Sequence, residues 1–153
     1  EFAKQTIAIA PIKTRDGGSL EGDALLSKDI RFFFEPNSSE LDRDAEQNLQ
    51  FLDSIKNFLQ VSPGSIVVLR GHVDNARMGE FEREGGKELV RSMALKAMEL
   101  SRQRAQSVRD ALIKRHNGIT PDRLEVVGRG WEEPAGSDSE LNRRVEVQWF
   151  TIE

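Results

Sequence analysis

The chain has no cysteine, which removes disulfides, thiol catalysis and thiolate metal sites. It has only two histidines, His72 and His116, so neither a transition-metal site nor any other cofactor is expected. No apolar run approaches the roughly 20 residues of a membrane-spanning helix, and no segment is expected to be embedded in a bilayer. Basic charge is not in excess either. Against 26 Asp and Glu stand 22 Lys and Arg, a net charge of −4, which offers no field to hold nucleic acid. No signal peptide or lipid-anchor motif is visible at the start, so the chain reads as a segment of something longer, with Glu1-Phe2 as a cloning remnant. What is present is 153 residues, 37% hydrophobic and 31% charged, suited to one globular domain with a real core.

Along the chain, residues 6–13 alternate Ile7 and Ile9 with small residues until Pro11, as an edge strand does, and belong to an extension over 1–27. The domain proper is expected over 28–153. Ile30 to Phe34 is a short apolar strand. From Ser39 the spacing of Leu41, Ala45, Leu49, Leu52, Ile55 and Phe58 predicts a helix, with Ser39 and Asp42 as a capping box and Ser62-Pro63-Gly64 as its end. The β-branched run over 65–70 predicts a strand covered on both faces. Helical spacing returns over 87–98 and continues to about residue 116, where Asn117-Gly118 stops it. Two final strands follow, over 123–130 and 142–152. The order β-α-β-α-β-β predicts an α/β sandwich with helices packed on a mixed sheet: three parallel strands as neighbours, and the last antiparallel to at least one of them.

One residue breaks this pattern. In ELSRQRAQSVRDALIKRH, residues 99–116, the buried stripe of Leu100, Val108, Ala111 and Leu112 is interrupted by Arg104. With Ser101 as N-cap, Arg104 also falls in the first turn, where the helix dipole disfavours a cation. Such a conflict between local rules marks a functional or strained position. Ligands of open α/β sheets bind beyond the carboxyl ends of the parallel strands. Glu35-Pro36-Asn37-Ser38, Gly71-His72-Val73-Asp74-Asn75, Arg104 and Asn142-Arg143-Arg144 are all expected at that edge. A carboxylate, an amide and two or three guanidinium groups in one cleft suit a ligand carrying both charges, with Asp74 accepting from an ammonium and Arg104 gripping a carboxylate.

These same residues carry a resemblance. Phe33-Phe34 with Asn37-Ser38, Gly71-His72-Val73-Asp74, Leu100-Ser101-Arg102-Gln103-Arg104-Ala105-Gln106-Ser107-Val108, Gly128-Arg129-Gly130 and Asn142-Arg143-Arg144-Val145-Glu146 stand in the order of the OmpA-like C-terminal domain. The match covers about residues 28–150. The resemblance implies a non-catalytic periplasmic module of a Gram-negative-type bacterium that binds the meso-diaminopimelate of the peptidoglycan peptide stem. It would anchor a larger protein of the outer or inner membrane to the wall. It implies Asp74 and Arg104 as the pair that holds the zwitterion, a contribution at Asn37, and a further contact from Arg143 or, as the alternative, Arg144. The chain departs from the family in having Val73 where Thr is usual, Ala97 where Asn is usual, and a separation of 30 residues from Asp74 to Arg104, about twice the common spacing. The excess is an insert over about 78–98, expected to form a solvated helix face.

Two rival readings follow from the same residues. A wall-cleaving enzyme would need a carboxylate pair, for which Asp74 and Glu35 are the candidates, since His72 has neither metal nor nucleophile beside it. A protein-interaction or homodimerisation module would use the insert. Trp131 and Trp149 read as rim or core packing.

Overall fold

A computed structural model describes residues 30–151. The expected extension over 1–27, with its edge strand, lies outside them. The elements are β1 (Arg31–Phe33), helix α1 (Glu46–Val61), β2 (Ile66–Gly71), helix α2 (Met78–Arg115), a single 3-10 turn (Pro121–Arg123), β3 (Leu124–Gly128), the one-turn helix α3 (Ser139–Asn142) and β4 (Arg144–Phe150).

The strands form one sheet in the order β1-β4-β2-β3. β2 and β3 are parallel, whereas β4 runs antiparallel to both of its neighbours, β1 and β2. The expected parallel trio is therefore split: β4, which needs no crossover helix to reverse direction, inserts between β1 and β2. Its alternation explains why it can. Val145, Val147 and Trp149 are buried on one face, and Trp149 meets Phe58 of α1 with ring centroids 4.5 Å apart. Val67 and Leu69 of β2, Phe32 of β1 and Leu124 of β3 share that face, under Leu52, Ile55 and Phe58 of α1 and Val108, Ala111 and Leu112 of α2.

Both long helices cover the same side, so the sandwich has two layers. β2 consequently alternates buried and half-buried residues rather than being covered on both faces as its β-branched run suggests. Helix α1 begins at Glu46, not at Ser39. The Ser38 and Asp42 side chains instead accept from the backbone N–H two residues on, forming tight local turns that compete with helix. Leu41 is buried all the same and holds this non-helical entry against the core.

Helix α2 is longer than the two periodic segments suggest. It starts at Met78 and is interrupted once, at Gly86 (φ 67°, ψ −160°), a backbone conformation essentially reserved for glycine. None of residues 78–96 is fully buried, as expected of a solvated insert, and Leu95 is 71% exposed. Burial in α2 starts at Ala97.

Candidate functional site

Ser101 does not cap a helix. It lies in the interior of α2, fully buried, with its Oγ donating to the Met98 carbonyl and accepting from the Gly130 amide at 2.9 Å. The dipole argument against Arg104 therefore falls away, while the argument from the buried stripe stands: Arg104 is 0% exposed. The missing side chain of Gly71 allows α2 to lie against the end of β2, where a Cβ would come within 1.9 Å of the Ser101 carbonyl oxygen. This close approach carries Arg104 beneath the sheet edge.

The guanidinium of Arg104 donates to three backbone carbonyls from two loops. Nε reaches Ser38 at 2.7 Å, Nη2 reaches Glu35 at 3.1 Å, and Nη1 reaches His72 at 2.9 Å. The Phe34 ring lies 5.5 Å from its Cζ. Three of its five N–H donors are so engaged. Among the described residues, no carboxylate oxygen lies within 4 Å of its nitrogens. Burial, with Arg143 nearby, lowers its pKa to about 10, an effect that Asp74 only partly offsets. The side chain is thus still charged at neutral pH.

Arg143 sits above it. Its Nε donates to the Phe34 carbonyl at 2.9 Å, and its Nη1 lies 3.6 Å from Asp74 Oδ2, both side chains being partly exposed. Asp74 Oδ1 accepts from the Ala76 amide at 3.0 Å, which fixes the carboxylate at the loop start. Asn37 has φ 57°, a left-handed conformation tolerated by asparagine, and its exposed side chain stands on the loop that Arg104 clamps. Asp74, Arg104 and Arg143 are therefore brought together, with Asn37 at the rim.

Other candidates are placed elsewhere. Glu35 enters through its carbonyl, not its carboxylate. Arg144 turns to the opposite sheet face, where it pairs with Glu146. His72 is buried, with Nε2 3.5 Å from Glu146 Oε1. Trp149 is core, and Trp131 stacks on Phe81 of the insert at 6.3 Å. Ala97, at the position where the family has Asn, is buried and brings no polar group. The sequence reading missed two contributors. Phe34 serves through its ring and carbonyl, for which no side-chain signal exists. Ser101 has a signal, a small polar residue three positions before Arg104 on the sheet-facing stripe.

The domain is thus a two-layer sandwich with β1-β4-β2-β3 order and a buried arginine clamping two strand-end loops. The OmpA family pattern matches residues 33–148, and the chain belongs to that family, whose members are non-catalytic structural proteins. It is 33% identical over 136 residues to the peptidoglycan-associated lipoprotein of Pseudomonas aeruginosa, covering 86% of this chain and 68% of that protein. Among solved structures, the peptidoglycan-associated lipoprotein from Burkholderia pseudomallei is similar with a TM-score of 0.57 and 22% identity, covering 78% of this chain and 88% of that one. The periplasmic domain of Helicobacter pylori MotB is similar with a TM-score of 0.56 and 21% identity, covering 80% and 69%. At these identities the solved structures support the fold.

Proposed function

We propose that this domain binds peptidoglycan without cleaving it, through the zwitterionic end of meso-diaminopimelate, and so holds an envelope protein to the wall from the periplasm. The observation that carries the reading is the fully buried Arg104, charged and without a carboxylate within 4 Å among the described residues, beside Asp74 and Arg143. A buried cation in this state lacks the counter-charge that would normally accompany it. In the mechanism, the ligand ammonium takes the Asp74 carboxylate and displaces Arg143 from its 3.6 Å contact. Arg143 then meets the ligand carboxylate through charge-assisted hydrogen bonds, above the buried charge of Arg104. Asn37 lines the entrance. The name of the Pseudomonas relative and the family membership point the same way.

The test is calorimetric titration with a stem peptide containing meso-diaminopimelate and, in parallel, one containing lysine, which lacks the second carboxylate. We expect binding of the first alone, and at least a tenfold loss, about 1.4 kcal/mol, in Asp74→Asn with folding stability lowered by less than about 1 kcal/mol. Equal binding of both peptides, or none, overturns the reading. The exposed Leu95 favours a second one, in which the insert docks a partner protein or a second copy. Concentration-dependent sedimentation that Leu95→Lys abolishes would support it.

A further inference from the structure

The sheet face turned away from the helices carries an arrangement that the wall-binding reading does not use. On this face Arg31, Glu146 and Arg70 are cross-strand partners on β1, β4 and β2. One rung further on, His72 and Arg144 are joined by a 2.8 Å backbone bond from the His72 amide, and the Arg129 amide donates to the Gly71 carbonyl at 2.9 Å. Two arginines and a histidine of one rung thus lie beside two arginines of the next. Arg144 and His72 are nearly solvent-free, with side chains 4% and 1% exposed, whereas Arg70 and Arg129 are 23% and 37% exposed. The cluster has a buried floor and an open rim.

Its hydrogen bonding is incomplete, and the arginine nitrogens in particular lack acceptors. Among the described residues, seven buried side-chain nitrogens make no hydrogen bond, and six of them are here: Arg31 Nε, Arg70 Nε, both His72 ring nitrogens, Arg129 Nε and Arg144 Nη1, with His72 Nε2 having only its 3.5 Å contact with Glu146. The three carboxylates at hand, Glu132, Glu133 and Glu146, are already engaged, and the only further acceptors used among the described residues are Gln148 Oε1 for Arg70 at 2.6 Å and the Glu133 carbonyl for Arg144 at 2.9 Å. Glu133 reaches Arg129 at 3.0 Å and Arg70 at 3.6 Å, and Glu146 serves Arg144 and His72. Glu132 reaches Arg129 only at 3.9 Å. Buried donors are nearly always matched, and guanidinium groups match planar oxyanions best. In a chain of net charge −4, four arginines facing so few acceptors are a local feature and not a general basic surface.

We infer that the outer face of the sheet, at Arg70, Arg129 and Arg144, is an oxyanion site for a carboxylate or a phosphate group. It lies on the opposite side of the sheet from the Arg104 cleft and does not depend on the reading given to that cleft. The phosphate of a lipid headgroup and a free phosphate present the same oxygens, as does an acidic side chain.

The test uses the full chain, with thermal unfolding and NMR in inorganic phosphate, acetate or chloride at matched ionic strength. Phosphate or acetate at ten times its dissociation constant is expected to raise the melting midpoint by about 3 °C over chloride, and to move the Nε–H signals of Arg70 and Arg129 and the ring signals of His72 saturably. Tighter phosphate than acetate identifies a phosphate ester as the source, which short-chain phosphatidylglycerol must then reproduce; tighter acetate identifies an acidic side chain. Arg144→Gln, placed in the floor, risks the fold, so the deciding variant is Arg70→Gln with Arg129→Gln on the rim, expected to weaken binding at least tenfold. The inference is overturned if chloride does as much, if the rim variant binds unchanged, or if only Arg104 and Arg143 signals respond.

Discussion

Arg104 and Glu146 show how burial and partners together set charge at single residues. Burial alone would raise the pKa of Glu146, but His72 and Arg144 outweigh it and bring the carboxyl down to about 2. A carboxyl lowered on folding adds stability that is complete above its ordinary value near 4.5 and is lost as pH falls through about 2. Glu146→Gln is therefore expected to flatten the acid limb of the stability curve between these values by up to about 3 kcal/mol, read by urea unfolding at stepped pH. Arg104→Met should leave three carbonyls without their donor and destabilise the fold by roughly 2–4 kcal/mol, while Asp74→Asn should cost under about 1 kcal/mol. Arg104 was legible in the sequence because a cation interrupts an apolar stripe. What the sequence could not show is that its bonds go to main-chain oxygens, since every residue has a carbonyl and none advertises its use. Asp74 was named from its place at the end of a strand, where a lone carboxylate has many ordinary explanations, and the resemblance is what singled it out from them.

At the level of elements, periodicity located both long helices and all four described strands but not the one-turn α3, and errors gathered at boundaries where side chains can bond in more than one way. Ser38 and Asp42 bond locally and delay α1, and Ser101 looks like a cap yet sits within a helix because its Oγ bonds back to Met98. The sheet order was missed for a different reason: alternation along β4 says which residues face the core but not which strand lies beside them. Two glycines give opposite expectations. At Gly71, Ala would place Cβ 1.9 Å from the Ser101 oxygen, and Gly71→Ala should lower global stability by about 2–4 kcal/mol while displacing Arg104. At Gly86 nothing lies within 4 Å, so the cost of Gly86→Ala is conformational. Because residues 78–96 contribute nothing fully buried, that cost, about 1–3 kcal/mol, should appear as faster hydrogen exchange over 78–96 with the global transition unmoved.

For the molecule as a whole, one apolar layer serves every strand, so the cleft and the core should be lost together. The two tryptophans test this, since Trp149 is in the core and Trp131 stacks on the insert. Trp131→Phe leaves Trp149 as the single reporter, and its fluorescence transition in urea is expected to coincide with that of far-UV circular dichroism. Separate transitions would mean that part of the domain unfolds on its own. Among the described residues no helix is long and apolar enough to cross a membrane. Arg143 and Arg144 are neighbours in the chain, yet one faces the Asp74 cleft and the other the opposite side of the sheet. A strand has two sides and a repeat of two, so a one-residue insertion or deletion at this point would exchange their duties. A length change here therefore disturbs both faces at once, whereas a substitution at Arg143 or Arg144 alters one face alone.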